Sequence, residues 1–359
     1  MVDRRSFLIG CAMIPVTGLS AVASRAEGSM LAPIDRAQAG RRYFGAAVRF
    51  DQIADDAKLR ETVLRDCSSI TPEIHMKWDA LRPEPDRWTT GPADDLVAFA
   101  RQHGLKVRGH ALLWEQSTPE WARTAVSSGD WGVVREHFQG VIDRFGEHVQ
   151  EWDVVNEPID ANGRTDSLRE TTFFRAYGPD YVARALTTAR EFAPAAKLVI
   201  NDYSFEYDNP VEDARRAGFL RLLRELRRAN VPVDGVGLQA HLDLGKGPLR
   251  SEVLKPFLAA IADLGLEISV TELDVREHEL GLPLAERDRR VADEVRRYLD
   301  IVMAQPAVTG VTTWGLSDSH SWLQPEGARG AKLNRGLPYD ASLAPKPMRE
   351  ILRRQLDAA

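Results

Sequence analysis

One rhythm dominates the chain past residue 40: a short apolar run, a polar turn, then a stretch of helical amphipathicity. The apolar runs predict strands at 43–48, 68–73, 106–114, 151–157, 197–203, 234–242, 267–274 and 310–318. Helical patterns fall between them near 55–66, 92–103, 131–147, 172–191, 211–230, 248–264 and 285–305, with a last one near 345–357. Strands alternating with helices of this length pair in parallel, because a parallel neighbour is reached only through a long crossover. Eight such units with no linker between them imply a closed α/β fold, a single (β/α)8 TIM barrel. A chain of 359 residues, 43% of them hydrophobic, can fill a core of that size. The Arg-rich stretch 211–230 fits the same plan, since Phe219, Leu222, Leu223 and Leu226 recur at helical spacing and mark a wall helix with a solvated outer face.

The first residues differ in kind. Arg4-Arg5-Ser6-Phe7-Leu8 carries a twin arginine, an apolar run follows to about Val22, and Ala21-Val22-Ala23 offers a small-residue cleavage site. We expect an export signal of the twin-arginine type over 1–26, leaving 27–359 as one folded domain in the periplasm or outside the cell. No stable membrane association is expected once the signal is removed, because the run is short for a span and contains Pro15. A net charge of −6 gives no footprint for nucleic acid. Of two cysteines, Cys11 lies in the signal and Cys67 is expected as a buried small hydrophobe. The expected state is a monomer without metal or cofactor.

In such barrels the chemistry sits at the C-terminal strand ends. Strand two ends at Thr71-Pro72-Glu73 and runs on to Lys77-Trp78, and strand three ends at Arg108-Gly109-His110 and Trp114. Strand four ends at Asn156-Glu157-Pro158, strand six at Gln239-Ala240-His241, strand seven at Glu272-Leu273-Asp274, and strand eight at Trp314 before Asp318 and Trp322. A carboxylate is costly to bury unless it is paired or used, so six polar exits on one rim point to a site.

Glu157 and Glu272 leave strands that face each other across the barrel mouth. Two facing carboxylates are the equipment for glycosidic cleavage: one protonates the leaving oxygen, the other attacks the anomeric carbon or activates water. Period-two alternation predicts Glu272 and Asp274 on one face of strand seven, with Gln239 and His241 together on strand six. A histidine there can hold Glu272 ionised, and Asp274 can hold the histidine. Trp114, Trp314 and Trp322 offer faces for pyranose rings, while Lys77, His110 and Asn156 offer hydrogen bonds to hydroxyls.

The pieces TPE and MKW at 71–78, RGH at 108–110, WDVVNEP at 152–158 and NDY at 201–203 resemble glycoside hydrolase family 10, the retaining endo-β-1,4-xylanases. So do VDGVGLQAHL at 233–242, TELDV at 271–275 and WGLSDSHSW at 314–322, and the resemblance runs from about residue 40 to 357. It implies Glu157 as acid/base, Glu272 as nucleophile, and xylan or xylo-oligosaccharide as substrate. It also implies sugar contacts from Glu73, Lys77, His110, Trp114, Asn156, Gln239, His241, Trp314 and Trp322, with Asp274 in support. Two places depart from the family pattern: Ile74-His75 stand where an Asn usually follows TPE, and Glu115-Gln116-Ser117 follow Trp114 in place of HSQ. We expect the second glycone sugar to be read differently, with a decorated or short substrate accommodated. Another β-1,4-glycan, transglycosylation, and a catalytically silent sugar-binding barrel are the competing expectations.

Overall fold

Alternating strands and crossover helices do close on themselves. The computed structural model describes residues 42–162 and 164–357, so the expected export signal at 1–26 lies outside the described residues. The strands are β1 (Tyr43–Val48), β2 (Ser69–Pro72), β3 (Lys106–Gly109), β4 (Val149–Asn156), β5 (Lys197–Asp202), β6 (Gly235–Leu238), β7 (His241–Asp243), β8 (Glu267–Arg276) and β9 (Val308–Thr313). All pairings between them are parallel; β1 joins β9 and β6 joins β8, so eight strands form a ring and β7 is a short appendage on β8.

Three of the helices start where a short polar side chain takes up a free backbone N–H group. Asp56 accepts from Leu59 N at 3.0 Å, Thr171 from Phe174 N at 3.0 Å, and Asn209 from Glu212 N at 3.0 Å, the last ahead of Pro210 in the first helical turn. The helix Pro210–Arg228 packs Phe219, Leu222, Leu223 and Leu226 into the core, as its spacing predicts. Cys67 is buried with them. Among the described residues no helix is long and apolar enough to cross a membrane.

Three strand expectations need correction. The stretch 106–114 is a regular strand only to Gly109; the pairing with β4 slips by a bulge at Val107/Arg108, and 110–114 continues irregularly with Leu112 N and Leu113 N bonded to Asp153 O and Val154 O. The stretch 234–242 is broken after Leu238, because Ala240 takes φ 59° and turns the chain before β7. The stretch 310–318 is strand only to Thr313, after which Gly315 at φ 105° bends the backbone. Three short helices, Phe50–Asp55, Trp78–Leu81 and Glu120–Ser127, add to the expected set, and the helix expected over 172–191 is interrupted at 178–180.

Alternation along β3 and β4 builds a polar column inside the barrel. Arg108 donates to Glu151 at 2.8 Å and, with both terminal nitrogens, to Asp153 at 2.5 and 2.6 Å; His110 Nδ1 lies 2.9 Å from the same Asp153. The intervening Trp152 is fully buried, and a Cβ on Gly109 would fall 2.1 Å from its ring, so glycine is required where the two strands meet.

Candidate active site

From β4 round to β9 the exits of the barrel strands are hydrogen-bonded each to the next, which sets the polar side chains in register. Glu157 N donates to Asn201 O at 2.8 Å, Gln239 N to Asp202 O at 3.0 Å, Glu272 N to Gln239 O at 3.0 Å, and Trp314 N to Leu273 O at 3.1 Å. Three consecutive exits then leave regular geometry through a left-handed residue: Glu157 after β4 (φ 57°), Ser204 after β5 (φ 59°) and Ala240 after β6 (φ 59°). For a residue with a Cβ this conformation costs about 1 kcal/mol, and such strain gathers where side chains must be aimed.

The rim encloses a cavity of about 490 Å³ lined by Glu73, Lys77, His110, Trp114, Asn156, Glu157, Gln239, His241, Glu272, Asp274, Trp314 and Trp322, so every residue expected at the site is there. A larger hollow of about 670 Å³ opens at the opposite end of the barrel around Arg42, Lys106 and Glu151, away from the strand exits.

Asn201 and Gln239 join the two glutamates. Asn201 Nδ2 donates to Glu272 Oε1 at 2.7 Å and to Asn156 Oδ1 at 2.8 Å, while Gln239 Nε2 reaches Glu157 Oε1 at 3.3 Å. Asn201 is held in turn by Thr271 Oγ1 at 2.7 Å.

On the other side of Glu272, His241 Nε2 stands 3.3 Å from Glu272 Oε2 and its Nδ1 2.9 Å from Asp274 Oδ1. Gln239 and His241 therefore meet the acids as expected, though through the break at Ala240 and not by alternation along one strand. Trp322 Nε1 closes the chain by donating to Asp274 Oδ2 at 2.7 Å.

The electrostatics follow from these contacts. Burial works to raise the Glu272 carboxyl, but the hydrogen bond from His241, the charges of His110 and His241, and the Asn201 amide outweigh it and hold it at about 2. Burial works to lower His241, yet Asp274 and then Glu272 carry it up to about 10, so an imidazolium donates to both carboxylates at neutral pH. Lys77 sits 4.8 Å from the Trp114 ring and 5.9 Å from the Trp314 ring; burial lowers its pKa against the pull of Glu272 and Glu73. Burial raises Glu73.

Glu157 is aimed by its backbone. Arg169 Nε donates to Glu157 O at 2.8 Å, and Arg169 Nη2 to Ile159 O at 3.0 Å and to the Tyr203 hydroxyl at 2.9 Å. Asp202 accepts from Ile159 N at 2.8 Å, and Arg215 bonds both Ile159 O and Asp202.

The sequence departures resolve into separate roles. Glu115 faces away from the cavity and accepts from Thr172 N at 3.0 Å and Thr172 Oγ1 at 2.9 Å, at the start of the helix Thr172–Tyr177. Gln116 lines the cavity, and its Nε2 lies 3.4 Å from Glu157 Oε2. His75 accepts from Phe50 N at 3.2 Å, and Ile74 is 37% exposed beside Glu73. The expectations from sequence omit Asn201, Tyr203, Arg169 and Gln116 from the site, although NDY at 201–203 marks a polar exit after β5. Among the described residues no group of three or more His, Cys, Asp or Glu side chains is set to hold a metal ion.

The family model described as glycosyl hydrolase family 10 matches residues 34–354. An endo-1,4-beta-xylanase B of Thermotoga neapolitana is 33% identical over 323 residues, covering 87% of this chain and 88% of that protein. An endo-1,4-beta-xylanase of Agaricus bisporus is 34% identical over 326 residues, covering 86% and 90%. The crystal structure of xylanase 10B from Thermotoga petrophila RKU-1 in complex with xylobiose superposes with a TM-score of 0.78 at 32% identity, over 89% of this chain and 94% of that one. Native xylanase 10B from Thermotoga maritima gives a TM-score of 0.78 at 32% identity, over 89% and 95%.

Proposed function

From the premise that the chain belongs to glycosyl hydrolase family 10, we propose that it hydrolyses β-1,4-xylosidic bonds in xylan and xylo-oligosaccharides with retention at the anomeric carbon. The observation that carries this reading is Glu272: a buried carboxylate kept ionised by His241 and Asn201, in one cavity with a second glutamate on a separate strand exit. Relatives that resemble the chain over most of their length are named endo-1,4-beta-xylanases, which supports the substrate class.

In the proposed sequence Glu272 attacks the anomeric carbon while Glu157 gives its proton to the departing glycosidic oxygen, so the C–O bond breaks as a glycosyl–Glu272 ester forms. Glu157, now a carboxylate, takes a proton from water, whose oxygen attacks the same carbon and frees Glu272. Asn156, Gln239 and His110 take up sugar hydroxyls, Lys77 lies between Trp114 and Trp314 on the cavity wall, and Trp322 offers an exposed ring face.

Linear xylan and xylotetraose are to be incubated with wild type and Glu272→Ala, and the first-formed anomer read by proton NMR. Activity that disappears in the variant, with the β-anomer formed first, is the expected result; an α-anomer formed first would overturn the double displacement. The exposed Ile74 beside Glu73 favours a second, narrower reading, that the site accepts a substituent on the distal glycone sugar. A subsite map with ordinary affinity for linear xylan at that position would remove it. Export by the Arg4-Arg5 signal is proposed as well, to be tested by exchanging both for Lys and locating the protein.

A further inference from the structure

Away from the cavity, one tryptophan lies flat on the barrel wall. Trp88 is 39% exposed and stands between the helices Trp78–Leu81 and Gly91–Gln102. Its ring runs parallel to that of buried His137, 12° apart in plane with centroids at 6.1 Å. A Cβ on Gly140 would come within 2.6 Å of the ring, so the indole needs glycine at that position to seat itself. Positions 137 and 140 share one face of the helix Gly132–Phe145 and seat the indole, and the guanidinium of buried Arg82 stands 5.3 Å from the centre of the same ring. The indole forms one wall of an open cleft of about 590 Å³ that also presents Gln139, Asp143 and Arg144.

Both arginines that line this cleft are already paired with carboxylates. Arg82 donates to Glu136 at 3.1 Å, and Arg144 makes two bonds to Asp94 at 2.7 and 2.6 Å. An anionic ligand would have to compete with both carboxylates, and an apolar partner segment would find a single apolar wall among charged groups. A neutral molecule with one flat C–H face and a belt of hydroxyls meets neither obstacle.

We infer that the Trp88 cleft is a second carbohydrate-binding site, which holds xylose rings of a β-1,4-linked polymer by stacking on Trp88 with hydroxyls at Gln139 and Asp143. The inference rests on the xylan reading above. The cleft contains no facing acid pair on strand exits, so it binds and does not cleave. Lys77, which lines the cavity, and Arg82, which lines the cleft, stand at the two ends of the helix Trp78–Leu81. A polymer held there keeps the enzyme at its substrate, whereas a short oligosaccharide gains nothing.

The test compares half-saturating concentrations of polymeric xylan and of xylotetraose for wild type, Trp88→Ala and the double variant Gln139→Ala/Asp143→Ala. Expected are a rise of about fivefold on polymer and no change on xylotetraose, with reduced retardation in native gels cast with xylan. The double variant removes exposed side chains only and serves if Trp88→Ala does not fold. An unchanged ratio of polymer to xylotetraose half-saturation in the folded variants would overturn the second site and leave the function standing. A wild type inactive on both substrates would overturn the function and this inference with it.

Discussion

At the scale of single residues, His241 has the most to account for. It touches the carboxyls of Glu272 and Asp274 and is raised to about 10, so it stays charged through the neutral range. The sign of its effect on Glu272 is fixed: a positive donor favours the carboxylate, and taking it away makes ionisation harder. Replacing His241 by Asn is expected to move the acid limb of kcat/KM on xylotetraose to higher pH by about one unit. A lower rate with the acid limb unmoved would mean that His241 only fills space. Much of this site is legible in the amino-acid sequence, because Glu157, Glu272, His241 and Asp274 are chemically unusual at strand exits. Asn201 and Gln116 are harder to find, since a neutral amide in a loop carries no signal until its neighbours are known.

At the scale of elements, the exit of β4 shows how a strand end becomes a tool. Glu157 at φ 57° is strained, and Arg169 holds the two carbonyls that flank the turn while gripping Tyr203 across the rim. Arg169→Gln should lower kcat on xylan about tenfold or more, because a misaimed acid loses proton transfer that is worth at least that much. Arg169→Lys should restore little, since a single ammonium cannot span the same acceptors. An unchanged kcat with a lowered melting temperature would assign Arg169 to stability alone. The same strain explains why strand limits are less legible than strand existence. Ala240 gives no sign in sequence that it will turn left-handed, so 234–242 reads as one strand where the chain makes two. The helix Trp78–Leu81 is a single turn, too short to express a 3.6-residue period.

At the scale of the whole molecule, the ring must be closed by residues far apart in the chain. Asp66, at the end of the helix Ala57–Asp66, is fully buried and accepts from Arg65, from Arg349 on the helix Pro347–Asp357, and from the Tyr339 hydroxyl. Burial works to raise its carboxyl, but those donors outweigh it and hold it below the ordinary 3.8. A depressed carboxylate stabilises the fold above its unfolded pKa, and that stability is lost as pH falls through the folded value. Asp66→Asn removes the buried carboxylate that Arg65 and Arg349 share and should cost about 3–5 kcal/mol, a fall of about 6 °C or more in melting temperature near neutral pH. The gap to wild type should narrow as pH drops below 3.8. A constant gap down to strong acid would show that the cluster acts by packing and not by charge.

The ammonium of Lys77 between the Trp114 and Trp314 rings has an optical consequence. A nearby cation shifts and quenches indole emission, and Trp322, half exposed at the same rim, emits as a solvated ring. A sugar that enters must dehydrate Trp322 and disturb the contacts of Lys77 together. Occupancy of the cavity is therefore written into the protein's own fluorescence, as a blue shift and a change of intensity that need no attached dye.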